Sequence, residues 1–240
     1  FAAVFPVSTW AELRDAVDAA SKNKQGDVIE VAPGTYHFSS YIEYWPAERP
    51  EDFPLTVRGA GIGFTVFDGG GESGLLSISP DTRVEDGNAH VTVRGITFQN
   101  GLKTKSGGAG LSITTKNAPI TVEDCAFLHC AALGSGGGLM AQTLGSGRVL
   151  VRNCLFQKNG SDQENGAGAA VRSRGGGNLI AVNNTFVGNA ARIAALWMYF
   201  HEAGGKADVY NNIFWNNTSA DPVWPRDLKI DWDSGETSHT

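Results

Sequence analysis

The residues best equipped for chemistry lie in two short stretches, Arg172 and Arg174 in VRSR, and Trp197, Tyr199, His201 and Glu202 in LWMYFHE. Arg172 and Arg174, like Trp197, Tyr199 and His201, fall two apart, so on strands they share a face, and Glu202 follows directly. Trp and Tyr rings offer flat apolar surfaces for stacking sugars, and arginine forks bind carboxylates or sulfates bidentately. The cluster therefore reads as a glycan subsite. The competing reading is that these side chains cover a flank of the fold or meet a neighbouring domain.

Other chemistries find less support. A lyase needs a base and a means of neutralising the substrate carboxylate, often calcium held by Asp and Glu oxygens. Asp162 and Glu164 in SDQEN are the nearest local pair, although two carboxylates in an exposed loop are more often simply solvated. No cofactor is expected, calcium being the one ion left open. A hydrolase needs two carboxylates facing one cleft about 5 to 9 Å apart, and no such pair recurs in register with the repeat described below. His37, His90, His129 and His239 are scattered, with no carboxylate partner at a metal or triad spacing. Cys125, Cys130 and Cys154 are too few for a disulfide scaffold and lack zinc-type pairing, so they read as small core residues.

What must position these residues is a repeat. Five versions of one segment recur: VTVRGITFQNG from Val91, ITVEDCAFLHC from Ile120, VLVRNCLFQKNG from Val149, LIAVNNTFVGNA from Leu179 and ADVYNNIFWNNT from Ala207. Their phenylalanines, Phe98, Phe127, Phe156, Phe186 and Phe214, are separated by 29, 29, 30 and 28 residues. Between them runs a Gly-rich and then apolar piece: GGAGLSI from Gly107, GGGLMA from Gly136, GAGAAV from Gly166 and the variant IAALWMYF from Ile193. Gly, Asn and Ser clusters break helices, and two strand-like pieces fill most of such a period, so the unit is a coil of strands.

Alternation names the columns. Val93, Val122, Val151, Ala181 and Val209 point inward, as do Ile96, Cys125, Cys154, Asn184 and Asn212, and the Phe column makes a third. In a parallel coil like stacks on like at about 4.8 Å, which predicts aromatic and asparagine ladders. Asn159, Asn189 and Asn217 are expected to serve turns, since Asn tolerates the left-handed conformation. The sequons at Asn183, Asn216 and Asn217 follow from the repeat and need no glycan. Arg94, Glu123 and Arg152 stack outward with alternating sign. On the second motif, Ser77, Ser112, Met140, Ala170 and Trp197 form one outward column and Ser79, Thr114, Gln142, Arg172 and Tyr199 the next.

Composition agrees with such a fold. Glycine accounts for 31 of 240 residues, nearly double the usual ~7%. An apolar fraction of 41% can build a core. The net charge of −6 without any Lys/Arg-rich run speaks against a nucleic-acid partner. No stretch approaches the ~18 apolar residues of a membrane span, so none is expected in this chain. The chain opens at Phe1 without an initiating Met, as a processed or trimmed piece would. Ser8 or Thr9 caps a segment whose Trp10, Leu13, Ala16, Val17 and Ala20 share a helical face, a cover for the open end of a stacked core.

These residues resemble the right-handed parallel β-helix of pectate lyase-like proteins. More narrowly, the F-x-x-N pieces (Phe156 to Asn159, Phe186 to Asn189, Phe214 to Asn217) and the Gly-rich pieces are similar to repeats of bacterial polymorphic outer-membrane and choice-of-anchor surface proteins. APGTY and LTVRGAG…FDGGG look like the cap and first coils of those proteins. Phe98 and Phe127 depart from the F-x-x-N pattern. The resemblance implies a secreted or bacterial cell-surface location, commonly within a larger anchored protein, and implies little about activity, since the fold hosts enzymes, adhesins and binding proteins alike.

The expectation is an all-β right-handed parallel β-helix of about seven coils, roughly 30 Å long at the strand spacing. Residues 1–26 would form a helical cap, 27–220 the coils and 221–240 a terminal cap or linker, together one domain. The expected function is a non-catalytic module binding carbohydrate or a cell-envelope partner through Arg172, Arg174, Trp197, Tyr199, His201 and Glu202. The alternative is a polysaccharide lyase or glycoside hydrolase acting on an acidic polysaccharide.

Overall fold

Each repeat is one turn of a parallel solenoid of about seven turns, seen in a computed structural model that describes residues 2–46, 52–80 and 88–233. The turns visit four sheets in one order, except that the first two pass from the second sheet to the fourth with no strand in the third. Sheet I has eight strands, from Ala3–Val7 to Lys206–Tyr210, and sheet II has seven, from Gly34–His37 to Ile213–Trp215. Sheet III has five short strands, from Leu102–Lys103 to Thr218–Ser219, and sheet IV has seven, from Ile42–Tyr44 to Leu228–Trp232.

The register stacks the expected columns. Val93, Val122, Val151, Ala181 and Val209 are successive partners in sheet I. The five phenylalanines pair likewise in sheet II. Their rings stack face to face, with centroids 5.1, 4.9, 4.6 and 5.0 Å apart and planes within 8° of parallel. Coil-on-coil repetition forces this geometry, because the strand spacing is also a good separation for offset aromatic stacking.

Two asparagine ladders hold the corners. The Asn184 amide donates to the Val151 carbonyl and to Asn212 Oδ1, at 3.0 Å each, and its own Oδ1 accepts from the Cys154 backbone N–H at 3.0 Å. A second ladder runs Asn159, Asn189, Asn217, with Asn189 fully buried, and ends where the Asn217 amide donates to Asp227 Oδ1 at 3.0 Å. The left-handed residues are their neighbours: Asp124, Asn153, Asn183 and Asn211 at one corner, and His129, Lys158 and Asn216 at the other, with φ of 51° to 55°. Asn159, Asn189 and Asn217 thus serve the corner through side-chain amides rather than through a left-handed backbone of their own. At the entrance to sheet IV, Gly136 has φ 73°, and a Cβ there would meet the Leu139 carbonyl oxygen at 2.2 Å. In the last full turn, where Ile193 replaces the glycine, the left-handed position moves to Ala194 at φ 56°.

The outward charge column is longer than the repeat alone suggests. Glu30 pairs with Arg58, and Glu123 sits between Arg94 at 4.0 Å and Arg152, whose Nε lies 2.8 Å away. Buried Cys125, Cys130 and Cys154 are free thiols. Burial pushes the Cys130 thiol up to about 12 and raises Cys154 further from ionisation, with Cys125 beside it adding to the shift. They pack as apolar side chains, as expected.

Helix α1 (Trp10–Ala20) is closed by a capping box. Thr9 Oγ1 accepts from the Glu12 backbone N–H at 3.2 Å, and Glu12 Oε2 accepts from the Thr9 N–H at 3.2 Å. Leu13, Ala16, Val17 and Ala20 are buried against the first strands. Ala3–Val7, within the expected helical cap, is the first strand of sheet I, paired with Asp27–Val31. At the other end, Leu228–Trp232 continues sheet IV beside Leu196–Phe200. Among the described residues no helix is long and apolar enough to cross a membrane.

Candidate functional site

The outward face of sheet IV meets sheet III in a concave corner, and two cavities lie along it. One outward row of sheet IV reads Glu43, Ser77, Ser112, Met140, Ala170, Trp197 and Lys229. The next reads Thr114, Gln142, Arg172, Tyr199 and Asp231. The alternation of the second motif therefore names real rows, except that Ser79 falls just past its strand and outside the paired register, and the seventh strand lengthens both.

At the C-terminal end a cavity of about 460 Å³ is lined by Asn165, Arg172, Arg192, Trp197, Tyr199 and Trp224, with Ile193. Sheet IV supplies Arg172, Trp197 and Tyr199, and sheet III supplies Asn165, Arg192 and Ile193. Arg172 lies over the Trp197 ring, 4.6 Å from guanidinium carbon to centroid, and donates to Ser135 Oγ at 2.6 Å. Trp197 is only 8% exposed, and its indole N–H donates to Asp231 at 2.7 Å. The Tyr199 ring follows at 5.1 Å, half-buried. Trp197 is accordingly a base for Arg172 and Tyr199, which are more accessible than the indole beneath them, while Arg192 and Trp224 form the exposed rim.

The remaining expected residues separate into two kinds. His201, just past the strand, places Nδ1 2.8 Å from the Asp233 carboxylate, which accepts from it, and lies 6.4 Å from the Tyr199 ring. Burial, helped by Asp233, raises the Tyr199 phenol above the ordinary tyrosine range. Arg174 and Glu202 are exposed on the bends that follow their strands, outside the residues lining the cavity. Asp162 is exposed, and the Glu164 side chain lies outside the described residues, as does His239. Among the described residues no three His, Cys, Asp or Glu side chains come together as cation ligands.

Sequence reasoning missed half of this wall. Lys229 and Asp231 alternate in LKIDW as Trp197 and Tyr199 do in LWMYF, a signal overlooked because that segment lacks the glycine run that announces other sheet IV strands. Lys229 Nζ sits 3.7 Å from the Trp224 ring centroid and 3.1 Å from Asp231. Arg192 and Trp224 had no periodic signal, since each reaches the cavity from outside the sheet IV strands.

At the N-terminal end of the same corner lies a second cavity of about 560 Å³, lined by residues that include Tyr41, Glu43, Lys103, Ser112, Thr114 and Gln142. Gln142 in this cavity and Arg172 in the other are partners on neighbouring strands. The amide of Gln142 donates to Thr114 Oγ1 at 3.1 Å.

A family model described as "Right handed beta helix region" matches residues 63–221, the greater part of the chain. No curated protein matches it.

Proposed function

Because the chain belongs to the right-handed β-helix family, whose coils are a scaffold rather than an activity, we propose that it is a non-catalytic module binding carbohydrate in the corner between sheets III and IV. The observation that carries this reading is the convergence of the Arg172 guanidinium and the Tyr199 ring on one cavity over a rigid Trp197 base. A flat ring beside a bidentate donor suits a sugar that presents an apolar face and an acidic or hydroxyl-rich edge. Rigid placement on strands lowers the entropy cost of binding.

The neighbouring carboxylates argue for binding over turnover. Asp231 is engaged by the Trp197 indole and by Lys229, and Asp233 by His201. A second reading, a lyase acting on an acidic polysaccharide, is favoured by the His201–Asp233 pair beside Tyr199 and Arg172. Against it, a raised phenol pKa leaves Tyr199 protonated at neutral pH and a poor base. A secreted or cell-surface location belongs to the same proposal, since structural polysaccharides are met there, and fractionation of the producing cells checks it.

The test is a panel of neutral and acidic polysaccharides, run by affinity electrophoresis with and without calcium and assayed for new chain ends. Retardation without new ends is the expected result, with Tyr199→Ala weakening it about tenfold, ~1.4 kcal/mol. New chain ends would overturn the non-catalytic reading in favour of the lyase. Indifference to every polymer would overturn both.

A further inference from the structure

The N-terminal cavity of the corner is built around one lysine. Lys103 comes from the first strand of sheet III, and its stem lies across Gly74: a Cβ at residue 74 would come within 2.8 Å of Lys103 Cε and 2.9 Å of Cγ. Glycine at 74 is therefore what lets the side chain lie down into the cavity instead of standing in solvent. Its ammonium sits 5.8 Å from the Tyr41 ring centroid, and Tyr41 remains 53% exposed.

The charges of this cavity differ in depth. Glu43, Glu72 and Lys105 line it as exposed residues, whereas Lys103 is half-buried. Burial depresses the Lys103 pKa, and Glu43 only opposes that shift. A cation held in a partly dehydrated place gains most from an anion that comes to it, through a charge-assisted hydrogen bond. Along the floor, Ser77, Ser112, Thr114 and Gln142 supply hydroxyl and amide groups suited to ring hydroxyls.

We propose that this cavity is a second subsite, specific for the carboxylate of an acidic sugar, with Lys103 meeting the carboxylate and the Tyr41 ring carrying the sugar's apolar face. It rests on the glycan-binding reading only for the kind of ring that bears the carboxylate. A linear acidic polymer would then be held at both ends of sheet IV, by Lys103 at one and by Arg172 at the other.

The probe is sodium glucuronate, with glucose and sodium chloride as controls, added to the whole chain labelled with carbon-13 at lysine Cε. The Lys103 signal is assigned by its loss in Lys103→Met, or in Lys103→Arg should the methionine variant not fold. Glucuronate is expected to move that signal and raise its titration midpoint, while Lys105 stays put and glucose and matched salt do neither. Tyr41, Glu43, Glu72 and Lys105 are the other titrating groups lining the cavity, and Glu43→Gln separates the effect of its carboxylate from that of the ligand. Gly74→Ala should weaken the response at least threefold by lifting the lysine stem. A Lys103 signal indifferent to glucuronate, or equally moved by glucose or salt, overturns the proposal. The response should survive in Tyr199→Ala, and an unsubstituted chain that gives the Lys103 response yet is retarded by no polymer sinks the C-terminal reading alone.

Discussion

Asn189 and Asn183 lie six residues apart and use the same side chain for different ends. Asn189 is fully buried: its Oδ1 accepts from the Asn159 backbone and amide at 3.0 Å each, and its own amide donates to the Phe156 carbonyl at 2.9 Å. Removing it strands buried donors and an acceptor, so Asn189→Ala should cost about 2–3 kcal/mol. Asn183 is exposed with φ 55°, a backbone position glycine adopts freely, and Asn183→Gly should change stability by no more than about 0.5 kcal/mol. Urea unfolding of the two variants decides this. Comparable losses would mean that the ladder contributes no more than the turn. Strand alternation made the inward Asn184 legible in the sequence; the burial of Asn189 was not, because at a turn burial depends on the corner's path and not on residue type.

Among the elements, the strands of sheet II show how position within the stack sets energy. Phe156 is fully buried with a ring stacked on each side, at 4.9 and 4.6 Å, whereas Phe214 ends the column and is partly exposed. Phe156→Ala removes both contacts and leaves a cavity, and should cost about 3–5 kcal/mol. Phe214→Ala loses one neighbour from a site open to water and should cost less than half as much. Thermal or denaturant unfolding gives the comparison, and equal costs would count against stacking as the source. All five phenylalanines look alike in sequence. Only their place in the solenoid separates them.

For the whole molecule, the two ends are finished differently. Helix α1 covers the first turn, with Leu13, Ala16, Val17 and Ala20 buried. At the far end Ile213 is 61% and Trp215 71% exposed, and Asp227 terminates one asparagine ladder. Because each coil is stabilised by its neighbours, protection should grade along the axis. Hydrogen exchange read by mass spectrometry should find amides of Ala126–Leu128 and Leu155–Gln157 the slowest, and those of Ile213–Trp215 at least about tenfold faster. Uniform protection would mean that the solenoid opens only as one unit.

A period near 29 residues with alternating apolar positions by itself determined the coil, its inward and outward columns, and the rows that carry Arg172, Trp197 and Tyr199. Those are local properties, since a strand's two faces follow from residue spacing and a parallel stack copies each face upward. The sequence also grouped Arg174, His201 and Glu202 with them, yet only tertiary structure set His201 against Asp233 and left Arg174 and Glu202 on exposed bends. It alone brought Arg192 and Trp224 to the C-terminal cavity, set Asp231 against the Trp197 indole and laid Lys103 across Gly74 beside Tyr41. Such contacts join different turns and different sheets, where the deciding quantity is the chain's path between strands, which no periodicity encodes.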